Sequence, residues 1–416
     1  MLVIGTLDTK GAEIEYLAKA IRSGGAKPML LDSSLSQGLA SSEFPLITRD
    51  EVASASGSSI EAIAGLPRGE AVEAMRGGVR ELAEALFASG DVHGAICIGG
   101  AGTHLSGPAF QALPIGFPKL VVSPLASGSR QFEPYVGLRD VAVMHSVADI
   151  AGINDITAKV FDSAAGYIVG AAAAFRERER DAPSGESSPT VVISMNGNTT
   201  LALDRGRERL GEAGYSSVTF HANGVGGRAL EAFVASGRAA GVLDFTTTEL
   251  GANLVGGLMD AGPTRMETAG RAGIPQVLVP GCVDFITSGP QEVADAEFPD
   301  RVTFRHNPEL TLVRLRAAEM AELGSIFARK ANLAVGPTSI LIPRDGFSVS
   351  DIEGGPFWDP VADQAFVDAL RGEIGSGIRV EMVDAHINDL KFADAAVEEL
   401  LSLVGGTKGE TASVSA

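Results

Sequence analysis

The chain has 416 residues, 45% hydrophobic and 20% charged, with 51 glycines, one tryptophan and a formal net charge of −19. That length exceeds one ordinary core and predicts two domains, while the negative field and the lack of a basic, aromatic-interleaved patch argue against nucleic acid and anionic membrane surfaces as partners. No apolar run approaches the ~20 residues of a membrane span, no secretory leader precedes the first strand, and Cys97 and Cys282 have neither disulfide nor zinc spacing, so a reducing, cytoplasmic setting is expected.

The first predicted element is an apolar strand, Leu2 to Ile4, running into Gly5-Thr6-Leu7-Asp8-Thr9-Lys10-Gly11. A helix follows, with Ile14, Leu17, Ala18 and Ile21 at i, i+3, i+4 and i+7. Gly24-Gly25 ends it, and Lys27–Leu31 reads as a second strand closed by Asp32. Val72, Met75, Val79, Leu82 and Leu86 make the stripe of a longer helix. The strand His93–Ile98 then meets Gly99-Gly100-Ala101-Gly102-Thr103. Pro118–Val122 is a short strand leading to Ser127-Gly128-Ser129-Arg130, Val141–Met144 reads as one more, and 155–180 is an alanine-rich helix.

Residues 181–189 are rich in Pro, Ser and Gly and predict a linker between domains at 1–180 and 190–405. After it the pattern restarts. Thr190–Met195 is a strand, followed by Asn196-Gly-Asn-Thr-Thr200, a helix and the strand Ser217–His221. The strand-to-strand spacing repeats that of the first unit, which suggests two similar domains. Further strands are predicted at Gly241–Phe245, Pro275–Pro280, Val335–Pro343 and Ile378–Val383, with a helix over Thr311–Ala331 and a flexible tail over 406–416. Strands alternating with helices give an α/β class with mostly parallel sheets. In such sheets ligands sit beyond the C-terminal strand ends, which is where the Gly/Thr/Asp clusters fall.

The common nucleotide signatures are missing. There is no Gly-x4-Gly-Lys-Ser/Thr, and Leu105 stands where Gly-x-Gly-x-x-Gly needs its last glycine. A looser anion cradle fits Gly5–Gly11: close backbone approach, hydroxyls at Thr6 and Thr9, free helix amides, a charge at Lys10 and an Asp8 able to hold Mg²⁺ through water. The same loop reads equally as a helix cap with a solvated lysine. Gly99, Gly100 and Gly102 before Thr103 exceed what a tight turn needs and suit a backbone anion nest. Asp32 suits either a ribose hydroxyl or a turn. In the second half, His221 or Glu249 after their strands suits an acid or base, and Asp284 follows another strand; caps and turns use the same residues. Pro343–Pro360, with Asp345, Asp351, Asp359 and Trp358, is irregular enough to be a lid or a dimer arm.

Gly5-Thr-Leu-Asp-Thr-Lys10, Ile98-Gly-Gly100, Ala126-Ser-Gly128, Tyr135-Val-Gly137, Met144-His-Ser-Val147, Gly226-Gly-Arg-Ala229, Leu243-Asp-Phe-Thr-Thr-Thr-Glu249, His306-Asn-Pro308 and Gly355-Pro-Phe-Trp-Asp-Pro360 occur in one order over residues ~1–405, on the scale of two domains. This set resembles the Tm-type ATP-binding family, whose plant members confer tobamovirus resistance. The resemblance implies two Rossmann-like domains, a homodimer, and ATP in the N-terminal domain. The implied nucleotide contacts are Gly5, Thr6, Asp8, Thr9, Lys10, Gly99, Gly100, Gly102, Thr103, Ser127 and Gly128. It also implies a barrel domain, fused in plants and expected here as a separate partner protein. The chain departs from the family in its glycine loop, one residue shorter than Gly-Gly-Ser-Gly-Gly-Thr, and in Met195-Asn-Gly-Asn-Thr-Thr-Leu201. Two functions follow as expectations: a Mg²⁺-ATP-binding protein, or an ATP-dependent enzyme holding a small polar or carboxylate substrate near His221, Glu249 and Asp284.

Overall fold

The computed structural model describes residues 1–37, 41–125, 133–181 and 188–413. By its internal contacts the chain divides into two compact units, Met1–Gly185 and Glu186–Ala416.

In the first unit, strands β1 (Leu2–Gly5), β2 (Met29–Asp32), β3 (Leu46–Ile47), β4 (Ala95–Ile98), β5 (Lys119–Ser123) and β6 (Ala142–His145) form one sheet in the order β3-β2-β1-β4-β5-β6. Every neighbouring pair is parallel. A parallel sheet is covered on both faces, so its strands are continuously apolar; Leu2, Val3 and Ile4 are fully buried. Alternate residues serve opposite layers. Leu2, Ile4, Ala95, Cys97 and Val121 pack with Met75, Val79 and Ala83 of the helix Arg68–Ala88. Val3, Leu30, Ile96 and Leu120 pack with Ile14, Leu17 and Ile21 of the helix Leu7–Ser23 and with Phe161 and Ile168 of the helix Asp155–Arg180. Cys97 is core filling: burial pushes its thiol up to about 12.

The second unit holds β7 (Thr190–Met195), β8 (Ser216–His221), β9 (Ala239–Thr246), β10 (Gln276–Gly281), β11 (Phe285–Ser288), β12 (Thr303–Arg305), β13 (Thr311–Arg314), β14 (Thr338–Pro343) and β15 (Arg379–Val383). A parallel sheet runs β15-β14-β10-β9-β7-β8, and β11-β13-β12 is a separate antiparallel sheet. Setting aside the edge strands β3 and β15 leaves β2-β1-β4-β5-β6 and β8-β7-β9-β10-β14. Both read 2-1-3-4-5 in local numbering, so the two units share a five-strand core, as the repeated opening pattern suggests.

Two expectations are corrected. The helix expected over Thr311–Ala331 begins only at Ala317, because Thr311–Arg314 pairs with Phe285–Ser288 as β13; a short β-branched run took its conformation from a partner strand distant in sequence. The strand expected from Val335 starts at Thr338, just after Pro337, which has no amide hydrogen to give a ladder. The last helix spans Leu390–Ser413.

The helices Ala317–Ala331 and Pro360–Glu373 cross so closely that a Cβ on Gly324 would overlap the carbonyl oxygen of Phe366. Gly324→Ala is expected to destabilise the protein by about 1–3 kcal/mol, read as a lowered urea midpoint. An unchanged midpoint would contradict this packing.

Candidate functional site

The order of the first sheet reverses between β1 and β4, the topological switch point where doubly wound sheets bind ligands. The two glycine-bearing loops, Gly5–Lys10 and Gly99–Thr103, leave the sheet there. They touch: a Cβ on Gly102 would lie 3.2 Å from Thr6 Cγ2, whereas one on Gly100 would meet nothing within 4 Å. Gly99 has φ +153°, backbone that side chains rarely adopt. The hydroxyls of Thr6 and Thr9 lie 3.0 Å apart. The amides of Gly100, Ala101 and Gly102 open the 3-10 turn Ala101–Ser106, where helical geometry supplies no acceptor.

Other members of the expected set are engaged within the protein. Asp32 is buried, and its Oδ1 accepts from the amides of Leu7 (3.1 Å) and Ser34 (3.0 Å) and from the Ser34 hydroxyl. Burial raises its pKa, and the Ser34 and Leu7 donors oppose that rise. Asp32 is therefore an internal acceptor at the mouth of the helix Leu7–Ser23. The Asp8 amide donates to Ser34 Oγ at 3.0 Å. Lys10 donates to the carbonyl of Ile150, and Glu13 Oε1 accepts from the amide of Gly152 at 2.6 Å. The Thr103 hydroxyl is buried, donating toward Gly100 O at 2.7 Å and lying 3.1 Å from Tyr135 Oη. Tyr135 in turn stacks on His104 at 4.7 Å. Asp8 keeps one buried carboxylate oxygen, Oδ1, with no partner. Ser127 and Gly128 lie outside the described residues.

The second unit treats the same position differently. Its switch point lies between β7 and β9, and there the threonine run is closed. Thr246 Oγ1 meets Thr199 Oγ1 at 2.8 Å, Thr247 donates to Val279 O at 3.1 Å and Thr248 to Phe285 O at 3.0 Å. Glu249 is fully buried. Its Oε1 accepts from the amides of Gly224 (2.7 Å) and Gly227 (3.0 Å), and its Oε2 from Arg265 Nε at 2.6 Å. A Cβ on Gly227 would overlap this carboxylate. Burial raises the Glu249 pKa and Arg265 works against that. These bonds make Glu249 an anchor for the loop that starts the helix Val225–Ala235. Arg265 itself is buried and forms a two-pronged pair with Asp244, Nη1 to Oδ2 at 2.6 Å and Nη2 to Oδ1 at 2.7 Å. Ser194 completes this pair's shell, donating to Asp244 Oδ1 at 2.6 Å. His221 ends the edge strand β8 with its side chain exposed, three strand steps from β10, roughly 14 Å at ~4.8 Å per step. It is not brought together with Asp284.

Asp284 lies beyond β10 and is fully buried. Its Oδ2 accepts from the Ser348 hydroxyl at 2.8 Å, and its Oδ1 has no partner. Burial and the nearby Asp351 push it up to about 7, with Arg314 opposing. Asp363, at the start of the helix Pro360–Glu373, is pushed to about 8 by burial and by Asp351. Arg314 Nη2 donates to Asp363 Oδ1 at 2.6 Å and Nη1 to the carbonyl of Asp284 at 2.8 Å. Sequence reasoning singled out Asp284 and the 343–360 stretch but not Arg265, Arg314, Ser348 or Asp363. Each joins a distant loop and carries no periodic or spacing signal. Among the described residues no group of three or more His, Cys, Asp or Glu is arranged to hold a metal ion, and no helix is long and apolar enough to cross a membrane.

Residues 1–177 match the N-terminal domain, and 188–404 the C-terminal domain, of the uncharacterised protein family UPF0261. A UPF0261 protein of Clostridium tetani is 37% identical over 409 residues, covering 97% of this chain and 98% of its own. The ToMV resistance protein Tm-1(GCR237) of Solanum lycopersicum is 32% identical over 417 residues, covering 96% of this chain but 55% of the tomato protein. The tomato ToMV susceptible protein tm-1(GCR26) is 31% identical over a similar span. The chain belongs to the UPF0261 family, with the tomato resistance and susceptible proteins as distant homologues.

Arg265→Ala would leave Asp244 and Glu249 buried without their counter-charge. The expected loss is about 3–5 kcal/mol, measured by denaturant unfolding. A loss under about 1 kcal/mol would show that water reaches the carboxylates.

Proposed function

We propose that this UPF0261 member binds a Mg²⁺-nucleotide, ATP, at the switch point of its first unit. The observation that supports this reading is the abutment of the two glycine loops there, with Gly102 against Thr6. The residues fit the group. The Gly100–Gly102 amides suit phosphate oxygens, the paired Thr6 and Thr9 hydroxyls can donate to them, and Asp8 Oδ1, buried and unpartnered, suits a hard cation. Mg²⁺ commonly takes one or two carboxylates together with phosphates and water, so the lack of a larger acidic cluster is no obstacle. Bound there, the cation supplies charge neutralisation to the phosphates. Asp32, Ser34 and Thr103 hold the loops in place from behind, and Lys10 fixes the loop after β6 through Ile150. A homodimer and a separate barrel-domain partner, both implied by the family resemblance, belong to the same proposal, as does a cytoplasmic setting.

A second reading is an ATP-dependent enzyme acting on a small polar or carboxylate substrate in the second unit. It draws on Asp284, whose position near neutrality suits proton transfer. Glu249 and His221 do not share that geometry. Substrate-stimulated ATP turnover lost in Asp284→Asn, with ATP binding retained, would favour it.

Calorimetric titration of ATP with Mg²⁺ separates binding from folding. Ala101 is exposed beside the glycine loop, so Ala101→Glu places a carboxylate at the cradle without touching the core. Micromolar binding by the wild type is expected, weakened at least tenfold in Ala101→Glu and in Thr9→Ala at an unchanged melting temperature. No heat from the wild type at millimolar ATP would refute the nucleotide reading.

A further inference from the structure

The 3-10 turn that opens at Ala101 is tied down from its buried side. The Gly100 carbonyl accepts twice from Thr103, from its amide at 3.1 Å and from its hydroxyl at 2.7 Å. Thr103 is fully buried, and its Oγ1 lies 3.1 Å from the hydroxyl of Tyr135. Tyr135 belongs to the short helix Glu133–Val136 and is itself buried. Its Oη lies 3.2 Å from His104 Nε2, and the two rings stack at 4.7 Å. A row of side chains, His104, Tyr135 and Thr103, thus ends on one carbonyl.

The hydrogens in this row can be placed. A carbonyl only accepts, and a hydroxyl has one hydrogen to give. The nearer neighbour of Thr103 Oγ1 is Gly100 O, so the threonine hydrogen lies there. None is left for the 3.1 Å contact, and Tyr135 supplies its own. Tyr135 Oη keeps its lone pairs to accept from His104 Nε2, the ring nitrogen that carries a hydrogen in this arrangement. The direction matters to the crevice. No peptide bond here is cis, and across a trans peptide the C=O and N–H point opposite ways. Holding the Gly100 carbonyl on buried Thr103 therefore turns the Ala101 amide the other way, to the side on which Ala101 is exposed.

We propose that Tyr135 is a positioning residue of the anion cradle: through Thr103 it fixes the Gly100–Ala101 peptide with its amide outward, and His104, stacked on it, keeps the phenol hydrogen on Thr103. The inference rests on the nucleotide reading for what that amide meets, while the tie itself stands on the loop alone. A donor already aimed at a phosphate oxygen needs no reorganisation when the ligand arrives. A glycine-rich loop without the tie is free to turn that peptide over.

Two measurements on the full chain test this. Hydrogen exchange of residues 99–106 without ligand reads the tie, and calorimetric titration with Mg²⁺-ATP and with pyrophosphate reads its effect. Tyr135→Phe removes one hydroxyl and keeps the ring, and Thr103→Val replaces a hydroxyl by a methyl. Loop exchange and both dissociation constants are expected to rise about tenfold in Thr103→Val and about threefold in Tyr135→Phe, with exchange in the second unit unchanged. Thr103→Ser restores the hydroxyl but not the methyl, so it is expected to rescue both readouts, which a packing role would not allow. Wild-type exchange in Thr103→Val and Tyr135→Phe would overturn the proposal. So would raised exchange with unweakened ligand binding, or a loss that Thr103→Ser fails to rescue. A wild type that takes up pyrophosphate but not ATP would sink the nucleotide reading alone, and the pyrophosphate series would still decide on Tyr135. Uptake of neither would overturn both.

Discussion

A parallel strand covered on both faces has room for polar chemistry only at its ends, and both parallel sheets of this protein are built under that constraint. β1, β4 and β10 are buried along their whole length, so the residues able to meet a ligand are confined to the loops that leave them. Asp244, a buried acid set well inside β9, shows what the exception requires. It has its own buried guanidinium, Arg265, two strong hydrogen bonds to it and a serine hydroxyl besides. A buried carboxylate without such a partner would be neutral or would cost several kcal/mol.

The shared five-strand core gives each unit the same crevice, and the two crevices have diverged. In the first unit a Cβ on Gly100 would meet nothing within 4 Å, and the supporting groups, Asp32, Ser34 and Thr103, are hydrogen-bonded within the protein. In the second, side-chain hydroxyls fill it: Thr199 and Thr246 close on each other, and Glu249 occupies the amides at the start of the helix Val225–Ala235. An internal carboxylate stands at that helix mouth, as Asp32 does at the helix Leu7–Ser23, satisfying amides that an external anion would otherwise seek. The polar centre of the second unit lies instead one strand further on, where Asp284 meets the loop after β14.

The class of fold, the repeated opening and the positions of the glycine loops were legible in the sequence, because apolar runs and glycine clusters are local signals. So were the core residues of the first helix, Ile14, Leu17, Ala18 and Ile21, all buried. The antiparallel sheet was not legible, since β13 owes its conformation to β11, more than twenty residues away. Nor was the difference between a ligand threonine and a structural one. Thr246-Thr-Thr-Glu249 reads as a binding loop until its hydroxyls are seen to meet Thr199, Val279 and Phe285. Arg265 and Arg314 were invisible for the same reason: an arginine's role is set by which carboxylates reach it, and Asp244, Glu249 and Asp363 come from other elements, 16 to 49 residues away.

The opposed ties between the helix Leu7–Ser23 and the loop after β6 have a wider reach. Lys10 gives a hydrogen bond to that loop at Ile150, and Glu13 receives one from it at Gly152. The loop that would cradle a phosphate is therefore geared to the far border of the sheet, three strands from β1. A ligand that drew Lys10 toward itself would take a donor from Ile150, and Val147, an exposed β-branched residue at φ +63° just upstream, would be the first to relax. Occupancy at the centre of the unit would then be announced at its rim, a lever by which a neighbouring molecule could sense whether the crevice is filled.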